Sequence, residues 1–191
     1  MELMIVLVLA AVILALGAPN FIEFRRNNRM TAVANELLGA IQTARSEAIK
    51  RQMPVAVCPS DNPQDTGATC TDGPFRGWIA FVDPDNDCLR DAANPDEEVV
   101  RTGLRIDGEA DHPLTPVSNG NCVSFGANGF LQTIPDRDTA TFTLFCDARG
   151  NRKQGSTDVS AARGVTITPT GRARVTRSYS EIDTWVVECP E

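Results

Sequence analysis

The sequence predicts an α+β fold in which one long N-terminal helix packs on an antiparallel, β-rich head stabilised by disulfides. Three observations carry that expectation: an uncharged apolar run leading into an amphipathic stripe, a succession of short β-branched and aromatic runs after residue 53, and six widely spaced cysteines. At 191 residues the chain suits one hydrophobic core plus an appendage, because a second full core normally needs more sequence. The expected organisation is an apolar helix over 1–20, an amphipathic helix over 21–52 that packs on the head, and the head itself over 53–191.

Residues 3–18 (LMIVLVLAAVILALGA) carry no charge. Sixteen helical residues reach about 24 Å, short of the roughly 30 Å hydrocarbon core of a bilayer. Glu2 precedes the run and Pro19-Asn20-Phe21 follows it, whereas a secretory signal places basic residues before and a small-residue cleavage site after. A cleavable signal is therefore not expected. A helix apolar on every side is equally unlike a core helix of a small soluble domain.

From residue 21 the pattern changes. Met30, Ala34, Leu37, Ile41, Ala44 and Ala48 recur at spacings of four and three, the stripe of an amphipathic helix. Pro54 holds the preceding residue extended and lacks an amide donor, so the helix should stop near Arg51 or Gln52. Gly17 and Pro19 should kink or locally melt it between its apolar and amphipathic halves.

Strands are expected over 55–58, 78–82, 98–101, 122–125, 141–146, 165–168, 172–177 and 184–189, because each is a β-branched or aromatic run bounded by Gly, Pro, Asn or Asp. The cysteines, Cys58, Cys70, Cys88, Cys122, Cys146 and Cys189, contain no C-x-x-C pair, which argues against zinc and redox motifs. An even count behind an apolar helix points to disulfides in an oxidising compartment. Six cysteines allow 15 pairings, and sequence does not choose among them. The loop between Cys58 and Cys70 and the strand-like context of Cys146 and Cys189 favour those two pairs, leaving Cys88 with Cys122.

The net charge of −7 speaks against a nucleic-acid partner, but its distribution does not. Residues 58–148 hold five arginines against sixteen acids, whereas residues 149–177 hold seven basic residues against one acid. Six of the seven are arginines, whose planar fork suits bidentate contact with phosphate. In a strand Arg172 and Arg174 point the same way about 6.8 Å apart, two phosphate steps of about 3.4 Å. Arg177 and Arg163 stand ready to add to them. Weak, sequence-independent contact with the phosphates of double-stranded DNA is one expectation. The other is a solvated basic edge strand that blocks edge pairing or meets the acidic loops of a neighbour. No aromatic residues interleave with the arginines, so base stacking is not expected.

These residues together resemble the type IV pilin superfamily, and within it the GspH/FimT/FimU branch of minor pilins and pseudopilins. Glu2-Leu3-Met4-Ile5-Val6-Leu7 is similar to the start of a mature pilin, and Pro19 falls where many pilins place a helix-bending proline. Gly77-Trp78-Ile79-Ala80-Phe81-Val82-Asp83, followed by an Asp-rich loop and Glu97-Glu98-Val99-Val100-Arg101, resembles a GspH-like hairpin. Gly171-Arg172-Ala173-Arg174 matches the Gly-Arg-x-Arg string that FimT-like pilins carry and that is associated with DNA binding. The basic leader and glycine cleavage site of a pilin precursor do not precede Glu2, so the sequence is expected to start inside a longer precursor whose apolar segment reaches about 20 residues.

The resemblance implies a minor pilin of a type IV pilus, or alternatively a GspH-like pseudopilin of type II secretion. Its implied partners are other pilin subunits and, before assembly, the inner membrane, with the head in the periplasm and later in a surface fibre. Double-stranded DNA is a further partner. Glu2 and Pro19 then serve assembly, because a carboxylate beside an apolar segment needs a partner, and in pilins that partner is the N-terminus of the neighbouring subunit.

Enzymatic chemistry is not expected. His112, the sole histidine, precedes a proline with no nucleophile or metal cluster nearby in sequence. Asp83-Pro84-Asp85-Asn86-Asp87 begins like a calcium loop, but Cys88 stands where an EF-hand needs glycine, so an acidic hairpin loop is expected there. No cofactor or metal is expected.

Overall fold

The computed structural model describes residues 2–103, 105–106, 113–185 and 189, and within the first twenty residues the side chains of 3–7, 9 and 12. Helix α1 (Glu2–Arg51) runs helical through Gly17 and Pro19, so the local melting expected there does not occur. A proline removes one hydrogen bond from the ladder, and the bonds on either side keep the helical path. Gln52 takes a positive φ of 55° and ends the helix where Pro54 forbids its continuation. No helix of the described residues is long and apolar enough to cross a membrane.

Nine strands of the described residues form two antiparallel sheets: β1 (Val55–Pro59), β2 (Trp78–Val82), β3 (Val99–Thr102), β4 (Thr115–Ser118), β5 (Val123–Phe125), β6 (Leu131–Gln132), β7 (Phe142–Cys146), β8 (Arg163–Ile167) and β9 (Ala173–Thr176). The first sheet has the order β3-β2-β1-β5-β6 and the second β4-β7-β8-β9. Both turn one face to α1. Met30, Ala34, Leu37, Ile41, Ala44 and Ala48 are all buried there with Val55, Val57, Ala80 and Phe125 of the first sheet and Phe145, Val165 and Ile167 of the second. The rings of Trp78 and Phe145, 6.5 Å apart, join the sheets beneath the helix.

Alternate residues of the same strands face away from α1 and are buried too. Ala56, Cys58, Ile79 and Phe81 lie under Ala68, Cys88, Cys122 and Ile134, and Leu144 and Cys146 lie under Ala162, Ile182 and Trp185. Each sheet thus has a second, smaller core on its outer side, which is why β1 and β2 are buried throughout. Disulfides hold these covers down. Cys58 pairs with Cys70 and Cys88 with Cys122 over the first sheet, and Cys146 with Cys189 over the second: the first and last are the pairs that loop and strand context favour, and the other is the pair left over.

One expected strand is corrected, and two strands appear that the sequence pattern did not predict. The stretch 184–189 is not a strand at Thr184 and Trp185, and residues 186–188 lie outside the described residues. Instead Ser178 caps the short helix α2 (Tyr179–Ile182), and Trp185 stacks on Phe142 at 4.7 Å. Its ring fills the space above Gly164, where a Cβ would come within 2.2 Å. Strand β4 escapes the sequence pattern because it contains Pro116, which is tolerated only because β4 is an edge strand. Strand β6 is two residues long, too short to show periodicity.

Candidate functional site

Residues 168–171 form the turn between β8 and β9. Gly171 donates its amide to the Thr168 carbonyl at 2.8 Å, and Thr168 donates to the Arg172 carbonyl at 2.9 Å. Gly171 has φ +75°, and a Cβ there would lie 2.3 Å from the Gly129 carbonyl oxygen. Both the left-handed backbone and the tight approach require glycine. The turn is anchored from α1: Arg45 donates Nε to the Gly129 carbonyl at 2.9 Å and Nη2 to the Thr170 carbonyl at 3.1 Å. Arg45 was not among the expected site residues. Its place in α1 gives no signal in sequence, since its acceptors lie 84 and 125 residues away.

From this turn β9 runs as the outer strand of its sheet. Ala173 and Val175 pack inward on the core, so Arg172 and Arg174 share the opposite face and are exposed. Arg172 makes no ion pair with any described residue. Arg174 does: its Nη2 bonds Glu181 of α2, whose other carboxylate oxygen accepts from Thr176 Oγ1 at 2.7 Å. Arg177 is exposed at the end of the run.

Arg163 departs from the expected grouping. It is 6% exposed, donates Nη1 to the carbonyls of Ser160 and Ala162 at 3.0 and 2.8 Å, and directs Nε at Thr31 Oγ1 of α1 at 3.3 Å. Burial, then the nearby charges of Arg177 and Arg149, push its pKa down. A guanidinium so committed ties β8 to the helix and is withdrawn from surface contact.

The acidic loop after β2 is folded around Asp83. This buried carboxylate accepts the amides of Asp87 and Cys88 at 3.2 and 3.0 Å. Burial raises its pKa to about 7 despite the Cys88 amide, with Asp85 and the charge of Asp87 adding to the rise. Asp83, Asp85 and Asp87 bring one carboxylate oxygen each within 4.8 Å of one another, the group among the described residues that could hold a metal. The side chains of Glu2 and Pro19 lie outside the described ones, and so does His112.

The exposed part of α1 forms the other notable surface. Leu3, Met4, Ile5, Val6, Leu7, Leu9, Val12, Phe21, Ile22 and Phe24 are all open to solvent, and the first buried side chain among the described ones of the helix is Met30.

The family described as Type II transport protein GspH matches residues 33–171. The chain belongs to the GspH family. That span begins in the buried stripe of α1 and ends at Gly171, so it takes in all but β9 and α2 of the head. The GspH family groups type IV pilin-like minor pilins and pseudopilins, as the hairpin around Trp78 implied. Two crystal forms of the Pseudomonas aeruginosa type IV minor pilin FimU are similar to this GspH-family chain. One has 22% identity, covers 82% of this chain and 94% of its own, and has a TM-score of 0.44. The other has 20% identity, coverages of 78% and 94%, and a TM-score of 0.41. No curated protein matches the sequence significantly.

Proposed function

We propose that this GspH-family chain is a minor pilin of a type IV pilus, held in the inner membrane and then in the fibre by the apolar part of α1, with a head that contacts the backbone of double-stranded DNA during uptake. Arg172 carries the DNA reading: an exposed guanidinium without an ion pair among the described residues, on the outer face of an edge strand, beside a turn that Gly171 and Arg45 hold rigidly. Arg174 and Arg177 extend the same surface. Overall acidity keeps the affinity of one head low, so useful binding comes from several heads along a fibre.

The test uses the head with residues 1–24 removed, a cut that takes away none of the described buried side chains. If three phosphates are neutralised, labelled duplex binds with a log–log salt slope of about −2.7. Arg172→Gln/Arg174→Gln should flatten that slope and leave the melting temperature unchanged. Glu181→Gln should free Arg174 and tighten binding by roughly two- to fivefold, the worth of an exposed ion pair. Absence of binding at low salt, or equal binding by the double variant, counts against DNA contact. A pseudopilin of type II secretion is then the better reading, and the family's own description favours that alternative.

A further inference from the structure

A second basic feature begins where β9 ends, at Arg177, and lies at the end of the head where α1 emerges. The loop 147–161 and the end of β9 bring their cations to helix residues 26–31. Asp147 binds Arg149 at 2.6 Å. Burial opposes its charge, but Arg149 and then Arg26 hold its carboxyl below the usual range, which places Arg26 of α1 beside this loop. Arg163 reaches Thr31. The carbonyls of Arg177 and Arg152 accept the amides of Ser160 and Ala161, next to the carbonyls that Arg163 holds. Leaving out the inward-turned Arg163, residues 21–29, 147–162 and 177 together contain seven cations against three acids, Glu23, Asp147 and Asp158. Immediately before them on α1 stand the exposed Phe21, Ile22 and Phe24.

We propose that this ring of cations is a collar for the headgroups of anionic phospholipids, holding the base of the head on the bilayer surface while the subunit awaits assembly. The inference rests on the reading of the chain as a membrane-anchored pilin and adds to it a lipid preference. Arginine forks match phosphodiester oxygens, and apolar and aromatic side chains beside them suit the interfacial layer. A bilayer surface accepts both kinds of residue at once, whereas a duplex laid across the collar would meet the apolar helix. The rest of the head strengthens the orientation. Residues 58–148, with sixteen acids against five arginines, are repelled by an anionic surface, so the field turns the base of the head towards it.

The experiment dilutes the full chain from detergent into vesicles of phosphatidylcholine, or of phosphatidylcholine and phosphatidylglycerol at roughly seven to three, and measures partition by flotation. Exposed cations near an anionic surface add to binding, so the mixed vesicles should be preferred by roughly tenfold at low salt, with the preference fading as salt screens it. Arg25→Gln/Arg152→Gln/Arg177→Gln should lose most of the preference while binding neutral vesicles and melting as the parent does. Arg172→Gln/Arg174→Gln should keep it. Equal partition of the parent onto both vesicles overturns the collar alone. Loss of preference in the β9 variant but not in the collar variant also overturns it, and assigns the effect to the DNA-type surface. Failure to bind either vesicle overturns the collar together with the membrane-anchored reading beneath it.

Discussion

Asp83 is a carboxylate kept where charge is costly. Its folded pKa of about 7 lies above its ordinary value near 3.8, so the folded state holds a proton that the unfolded chain releases. Its contribution is fully present below the unfolded pKa and is lost as pH rises through the folded one. Asp147 and Asp158 run the other way: their pKa values are lowered, so what they contribute is present at neutral pH and lost as the solution becomes strongly acidic. Stability should therefore peak near the ordinary carboxylate pKa of 3.8 and fall as pH rises from there to about 7, above which Asp83 adds no further slope. Urea midpoints across that range check the fall, and Asp83→Asn should flatten it. A midpoint that rises towards about pH 7 would show that Asp83 is charged in the fold.

The covers on the outer faces of the sheets are held by few residues each. Over the second sheet the cover consists of α2, Trp185 and the Cys146–Cys189 bridge, which closes a loop of 43 residues. Cys189→Ser should cost about 2–5 kcal/mol, read as a lower denaturant midpoint of the oxidised head. An unchanged midpoint would mean that α2 and Trp185 hold the cover without it. At this scale the sequence was unevenly legible. The stripe from Met30 to Ala48 is a local pattern, and every member is buried as expected. The stretch Thr184-Trp185 reads as a strand from composition, yet its fate is set by Ser178 and Ser180 binding Asp158, some twenty residues earlier in the chain. Arg163 misled in part for the same reason: it lies in a segment that is basic overall, but it turns inward onto the carbonyls of Ser160, Ala161 and Ala162 just before it and onto Thr31, which only the fold brings to it. The Gly-Arg-x-Arg string showed where the exposed arginines are, but not that Glu181 claims one of them.

At the scale of the molecule, the head and the exposed helix divide two tasks. Residues 2–24 contribute no described side chain to the core, so Glu2→Ala should leave the head's melting temperature unchanged while blocking incorporation into fibres. Comparing the two readouts on the full-length protein checks this, and normal incorporation would count against an assembly role for Glu2. The division of charge was legible from sequence as a count by segment. That the basic part splits into a strip on β9 and a ring at the helix exit was not, because it depends on Arg163 turning inward between them.

The disulfides also decide how the subunit answers a pull. None of them links α1 to a sheet; Cys58–Cys70 and Cys146–Cys189 each close a loop within one half of the head, while the Cys88–Cys122 loop, held over the first sheet, also carries β4 of the second. Those loops span 12, 34 and 43 residues, and a fully stretched chain gains at most about 3.3–3.6 Å per residue, so more than half of the head's contour is withheld from any extension. Tension drawn between the exposed helix and the head would peel α1 from its groove and part the two sheets, and then stop. The subunit is built as a short tether with three closed loops.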